Sequence, residues 1–271
     1  MMGAGTMGSL ADRYSVFLLD LDGVLYLLND PIPGSSETVR KLAEAGKGIV
    51  FLTNNSSATP AQYVEKLARF DILTLPDQII SSADAARRYL ERSCETAGKT
   101  AFMIGEDGLR SMLAETGLKV VDGEEARSAD FVCVGWDRSF DFDKLKTAVI
   151  AIRRGAKYIA MNSDATYPTP EGLWPGAGSI VAAVTTGSGV EPSVMGKPNP
   201  NMVWLALEHL GASASEALMV GDRLDTDIKA GQAAGVDTLL VLTGVSKLEE
   251  IESTGIRPTH LRDDLAGLLS E

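Results

Sequence analysis

The stretch Val16-Phe17-Leu18-Leu19-Asp20-Leu21-Asp22-Gly23 runs from four apolar residues into a pair of acids. An unbroken apolar run, without polar alternation, is the pattern of a parallel strand buried on both faces. Asp20 and Asp22 then fall at its carboxyl end, the edge where open parallel sheets bind ligands. Working outward, Pro33-Gly34-Ser35 opens a helical period with Val39, Leu42 and Ala43 on one face, and Gly46 stops it. Residues 49–52 read as the next strand and end at Thr53-Asn54-Asn55. Thr59 is then a natural N-cap, with Pro60 in the first helical position.

The last third repeats the scheme. Residues 199–210 read as a helix stopped by Gly211, 217–220 as a strand ending at Gly221-Asp222, 225–234 as a helix stopped by Gly235, and 238–242 as a strand. Alternation of this kind specifies an α/β fold, a Rossmann-like parallel sheet with helices on both faces. The middle has its own apolar strands at 100–104, 131–134 and 158–161, and helical periods at 83–91, 109–115 and 145–153. The organisation expected is a flexible tail over 1–13, a core built from 14–80 and 188–271, and an inserted α/β domain over 81–187.

Composition narrows the function. With 25 basic and 37 acidic residues in 271, the formal charge is 25 − 37 = −12. That excess opposes the clustered Lys and Arg that a phosphate backbone requires, and argues against nucleic-acid or anionic-membrane partners. Two cysteines without CxxC spacing make no disulfide framework, and no apolar run approaches a membrane span. A reduced, cytoplasmic protein is the expectation.

The chemistry sits after the strands. Two acids at i and i+2 raise one another's pKa unless a cation lies between them, and a hard divalent cation with oxygen ligands resolves the conflict. Taken alone, Asp20-Leu21-Asp22-Gly23 could be a solvated Asp-Gly turn. A second acidic cluster, Asp222-Arg223-Leu224-Asp225-Thr226-Asp227, follows another strand of the same sheet. Helix capping would account for one of those acids but not for four acids at one sheet edge. Lys197, in Gly196-Lys197-Pro198-Asn199-Pro200, is held out of a helix by the proline after it and suits a fixed phosphate or carboxylate partner. An exposed loop lysine is the alternative. Thr53, Asn54 and Asn55 offer a hydroxyl, amides and backbone N–H groups as an anion cradle. Together they fit phosphoryl transfer through an aspartyl-phosphate.

On Asp20–Tyr26 (DLDGVLY), residues 51–57 (FLTNNSS), 196–200 (GKPNP) and 219–228 (MVGDRLDTDI), the chain resembles the haloacid dehalogenase superfamily of phosphatases. Residues 162–180 and 242–246 resemble its NagD-type branch, which has a C2 cap and includes pyridoxal phosphate, phosphoglycolate and p-nitrophenyl phosphatases. The resemblance implies a nucleophile at Asp20 and a general acid/base at Asp22. It implies phosphoryl binding by Thr53, Asn54, Asn55 and Lys197. Mg²⁺ would be held by Asp20, the Asp22 carbonyl and Asp222, supported by Asp227. It makes the insert a cap, with Tyr167 and Pro168 contacting a small phosphorylated metabolite. A dehalogenase would need neither Asp22 nor Asp222, a phosphomutase or phosphotransferase would not release phosphate, and a regulatory module phosphorylated on aspartate would need no cap. A homodimer through the cap is open. His209 and His260 are isolated, Trp136 and Trp174 could line the cap although packing is the preferred reading, Trp204 suits a core or an interface, and Glu249-Glu250-Ile251-Glu252 reads as a solvated helix face.

Overall fold

The apolar run around Phe17 forms the strand β1 (Val16–Asp20), with all its residues buried. The computed structural model describes residues 8–169 and 171–270, with the side chain of Pro168 outside the description. After β1 come β2 (Tyr26–Leu27), β3 (Asp30–Pro31), β4 (Gly48–Thr53), β5 (Ile79–Ser81), β6 (Thr100–Ile104), β7 (Lys119–Val120) and β8 (Phe131–Val134). Then follow β9 (Lys157–Ala160), β10 (Thr166–Thr169), β11 (Gly172–Pro175), β12 (Ser193–Val194), β13 (Ala217–Gly221), β14 (Asp237–Val241) and β15 (His260–Arg262). One parallel sheet has the order β15-β14-β13-β1-β4-β5 and draws on both ends of the chain. A second parallel sheet, β12-β9-β8-β6-β7, comes from the middle. The α/β class is as the alternating pattern required.

Alternation along β1 shows why the strand had to be apolar throughout. Val16 and Leu18 join one buried cluster with Val50, Leu52, Ala217 and Met219. Phe17 and Leu19 join the opposite one with Ile49, Phe51, Leu218 and Val220. Each face is covered by helices, so a polar residue on either side would be stranded from water. The first cluster does not stop at the core sheet. It continues through Ala83, Ala86 and Leu90 of the helix Ser82–Ser93 into Met103, Phe131 and Ile159 of the second sheet. The far face of that sheet packs against the helices Phe142–Arg153 and Ala177–Ser188.

Three details differ from the expected organisation. The tail does not extend to residue 13, because Leu10–Arg13 make a 3-10 turn whose Leu10 and Ala11 are buried in the cluster holding Phe17. Residues 1–7 lie outside the described residues. The second sheet takes its edge strand β12 from beyond residue 187. The helix expected over 225–234 opens with a wide π turn, Leu224–Ile228, before its regular part, Lys229–Ala234. Among the described residues no helix is long and apolar enough to cross a membrane.

Register places the polar residues. β1 pairs with β4 so that Asp20 lies opposite Leu52, and Leu19 lies opposite Val220 of β13. Asp20, Thr53 and Asp222 therefore emerge together at one sheet edge. The cysteines offer a check on packing. Cys133 is fully buried on β8, and burial pushes its thiol up to about 12, with Cys94 adding to the rise. Cys94 is only partly covered. A thiol reagent at pH 8 is expected to modify Cys94 in the native protein and to reach Cys133 only after denaturation, as read by counting labelled thiols in each state.

Candidate active site

Lys197 is 2% exposed, an unusual place for an ammonium unless it is paired. Its Nζ lies 2.5 Å from Asp20 Oδ1 and 2.7 Å from Asp227 Oδ1. It also donates to the Leu52 carbonyl at 3.2 Å. Burial alone would lower its pKa, but the two carboxylates outweigh that and raise it. The two carboxylates thus favour its charged form. The non-helical backbone that the following proline imposes brings it to the end of β1 from 177 residues away.

The carboxylates outnumber it. Oxygens of Asp20, Asp222 and Asp227 lie within 4.8 Å of one another, all three residues buried. Burial raises Asp20 well above the usual carboxylate range, Lys197 opposes the rise, and Asp227 and Asp222 add to it. Burial and the Asp227 charge raise Asp222 to about 7. The oxygens of Asp227 are engaged: Oδ2 accepts the Arg223 N–H at 3.1 Å, and Oδ1 faces Lys197 as an ion pair without hydrogen-bond alignment. Asp222 Oδ2 accepts the Val245 N–H at 2.7 Å, whereas its Oδ1 is buried with no partner among the described residues. Gly23 and Gly244 press bare backbone against this carboxylate, and a Cβ at either position would collide with it. Gly23 also takes φ +85°, which favours glycine. An orphaned oxygen in an all-oxygen cluster of surplus negative charge fits a hard divalent cation.

The Thr53-Asn54-Asn55 turn is organised differently from a simple cradle. Asn54 clamps Lys197 at both backbone polar groups, Oδ1 accepting its N–H at 2.8 Å and Nδ2 donating to its carbonyl at 3.0 Å. The same Nδ2 meets both carboxylate oxygens of Asp164 at 3.1 Å. The Asn54 carbonyl accepts from Ser82 Oγ and Asn162 Nδ2, each at 2.7 Å. Asn55 Oδ1 accepts the Ser57 N–H at 2.9 Å in a local turn. Both carboxamides thus hold neighbouring backbone, and Thr53, Asn54 and Asn55 all line the cleft.

The opposite wall comes from the inserted segment. Tyr167, on the β10–β11 hairpin, reaches Asp22 Oδ1 at 3.5 Å. Asp22 is more open than Asp20; burial raises its pKa, and Lys66, Tyr26 and Tyr167 temper the rise. Trp136 stacks on Tyr167 with ring centroids 5.0 Å apart and also lines the cleft, so it does not pack in the core. Trp174 stands opposite Tyr167 in the hairpin register and is 41% exposed, again not packed. Pro168 shares β10, and its side chain lies outside the description. The cleft, its open mouth included, spans about 640 Å³ and is lined by Asp20, Asp22, Lys197, Asp222 and Asp227 together.

Two family models match, haloacid dehalogenase-like hydrolase over residues 17–119 and HAD-hydrolase-like over 194–268. The chain is 42% identical over 252 residues to the 5'-nucleotidase YutF of Bacillus subtilis, covering 93% of this chain and 96% of that one. Among solved structures it is similar to a glycerol phosphate phosphatase from Mycobacterium tuberculosis in complex with magnesium. That match has a TM-score of 0.90 and 34% identity, covering 98% of this chain and 79% of the other. It is also similar to NagD from E. coli K-12, with a TM-score of 0.83 and 33% identity over 94% of this chain and 98% of that one. The chain belongs to the haloacid dehalogenase-like hydrolase family, in its NagD-type branch.

Sequence reasoning did not single out Asp164, Arg223 or Asn162. Arg223 lies inside the acidic motif, and Asp164 inside the 162–180 stretch, but neither carries a signal of its own. Burial raises Asp164, and the Arg223 charge across the cleft opposes the rise. His260 lies away from the cleft, its Nε2 2.8 Å from the Tyr14 hydroxyl, which donates to Asp237. Replacing Asn54 by alanine strips Lys197 N–H and carbonyl of their clamp. Asn54→Ala is expected to lower unfolding free energy by about 1–3 kcal/mol, measured by urea denaturation.

Proposed function

We propose that the chain is a Mg²⁺-dependent phosphomonoester hydrolase working through an aspartyl-phosphate on Asp20, with a small phosphorylated metabolite as substrate. The observation that carries the reading is the buried ammonium of Lys197 between Asp20 and Asp227, beside an unpartnered oxygen of Asp222. Asp20, Asp222 and the carbonyl of Asp22 would hold the cation, with Asp227 supporting them through Lys197. When bound, Mg²⁺ supplies charge neutralisation for phosphoryl oxygens. The magnesium complex of the glycerol phosphate phosphatase supports that choice of cation.

Asp20 forms a bond to phosphorus as the bond to the ester oxygen breaks, and Asp22, protonated, transfers its proton to that departing oxygen. Asp22, now a carboxylate, takes a proton from water, whose oxygen attacks phosphorus. The bond to Asp20 breaks and phosphate leaves. Lys197 offsets charge on the phosphoryl oxygens, and Thr53 with the adjoining backbone N–H groups orients them. The raised pKa of Asp22 suits an acid that must hold its proton until the leaving group needs it. Tyr167 and Trp136 face the leaving group and limit water near Asp22.

Phosphate release from a panel of monoesters is the direct test. Asp20→Asn is expected to reduce it by about a thousandfold or more while leaving the thermal transition within a few degrees. Chelation is expected to abolish release and added Mg²⁺ to restore it. Retained turnover in Asp20→Asn would rule the scheme out, and transfer to an acceptor without free phosphate would favour a phosphotransferase.

A further inference from the structure

Beside the catalytic cleft lies a second chamber of about 1070 Å³, its mouth included, and Asn55, Trp136 and Tyr167 line both. Its floor is the helix Pro60–Ala68, which contributes Lys66. Lys66 is half-buried, and its ammonium rests 3.7 Å from the centre of the Tyr26 ring. A cation over a ring is only partly compensated for lost hydration. Among the described residues no carboxylate comes within ion-pair distance of it. The other cation of the chamber, Arg138, is engaged in a two-point pair with Glu106 at 2.7 and 3.0 Å. The one carboxylate lining the chamber, Glu171, is exposed and out of ion-pair reach of Lys66. The Lys66 charge is felt by Asp22 in the cleft, yet no ion pair holds it, and in a chain with a formal charge of −12 such a half-buried ammonium suits an anion.

We propose that Lys66 binds a second anionic group, carried by the leaving group of the ester, and so selects substrates that are anionic at both ends. This rests on the phosphatase reading above, because the chamber shares its wall with the cleft where the phosphoryl group would sit. A phosphate placed at Asp20 sends its leaving group past Asp22 toward the stacked pair of Trp136 and Tyr167, which line the cleft and the chamber alike. The chamber beside that pair offers flat apolar walls from Trp136 and Trp174 and a single ammonium without an ion pair. The ligand class is therefore a phosphomonoester whose leaving group has a flat or apolar frame ending in a carboxylate or similar anion.

The test compares 4-carboxyphenyl phosphate with its neutral isostere, 4-carbamoylphenyl phosphate, as substrates of the full chain with Mg²⁺. The wild type is expected to favour the carboxylate by about tenfold or more in kcat/KM. Lys66→Met is expected to bring the ratio of the two esters close to one, and Lys66→Arg to keep most of it. An unchanged ratio in Lys66→Met overturns the proposal, as does an equal loss on both esters, which would assign Lys66 to Asp22 or to the fold. Turnover of both esters without preference by the wild type overturns it while leaving the phosphatase reading intact. Release of phosphate from neither overturns both.

Discussion

A single ammonium set among three buried carboxylates governs the arrangement of this molecule. Ion pairs removed from water are costly unless their geometry satisfies every charge, and here one cation cannot satisfy three anions. Lys197 binds Asp20 and Asp227 from within, and the surplus falls on Asp222, whose oxygen lacks a partner. The glycines that press on that carboxylate, the wide turn that carries Asp227 and the prolines after Lys197 all hold this imbalance in place. Such a cluster is unfavourable as bare protein and becomes consistent once a divalent cation and a phosphoryl group are considered with it.

Much of this could be read from the chain alone because the signals are local. An apolar run ending in acids defines both a strand and the edge where its carboxylates emerge, and Pro after Lys197 defines a backbone that cannot be helical. The same logic located Thr53 and Asp222. What could not be read is the use of side chains that meet only through tertiary structure. Asn54 lines the cleft, but the sequence gives no sign that its amide also holds Lys197 and Asp164, 143 and 110 residues away. Trp136 and Trp174 carry a packing signature, and only the position of the hairpin makes them walls of a cleft. Lys66 resembles any surface lysine on an amphipathic helix until the neighbouring chain is seen to bury half of it without an ion pair.

Asn54 also explains how two parts of the chain can share one reaction centre. Its carbonyl and carboxamide receive the helix after β5, the inserted segment through Asn162 and Asp164, and the loop of Lys197. Hydrogen bonds this concentrated act as a junction, so a displacement of the inserted segment is felt at the lysine that faces Asp20. The electrostatic centre and the wall that faces the leaving group are thus linked by short, directional contacts and by more than proximity.

The apolar cluster that passes from the core sheet through the helix Ser82–Ser93 into the second sheet has a thermodynamic meaning. Two lobes joined by a polar linker would melt independently, whereas lobes sharing one dry interior expose it together. The inserted segment is thus tied to the core by a shared apolar interior. A calorimetric scan is therefore expected to record one cooperative transition.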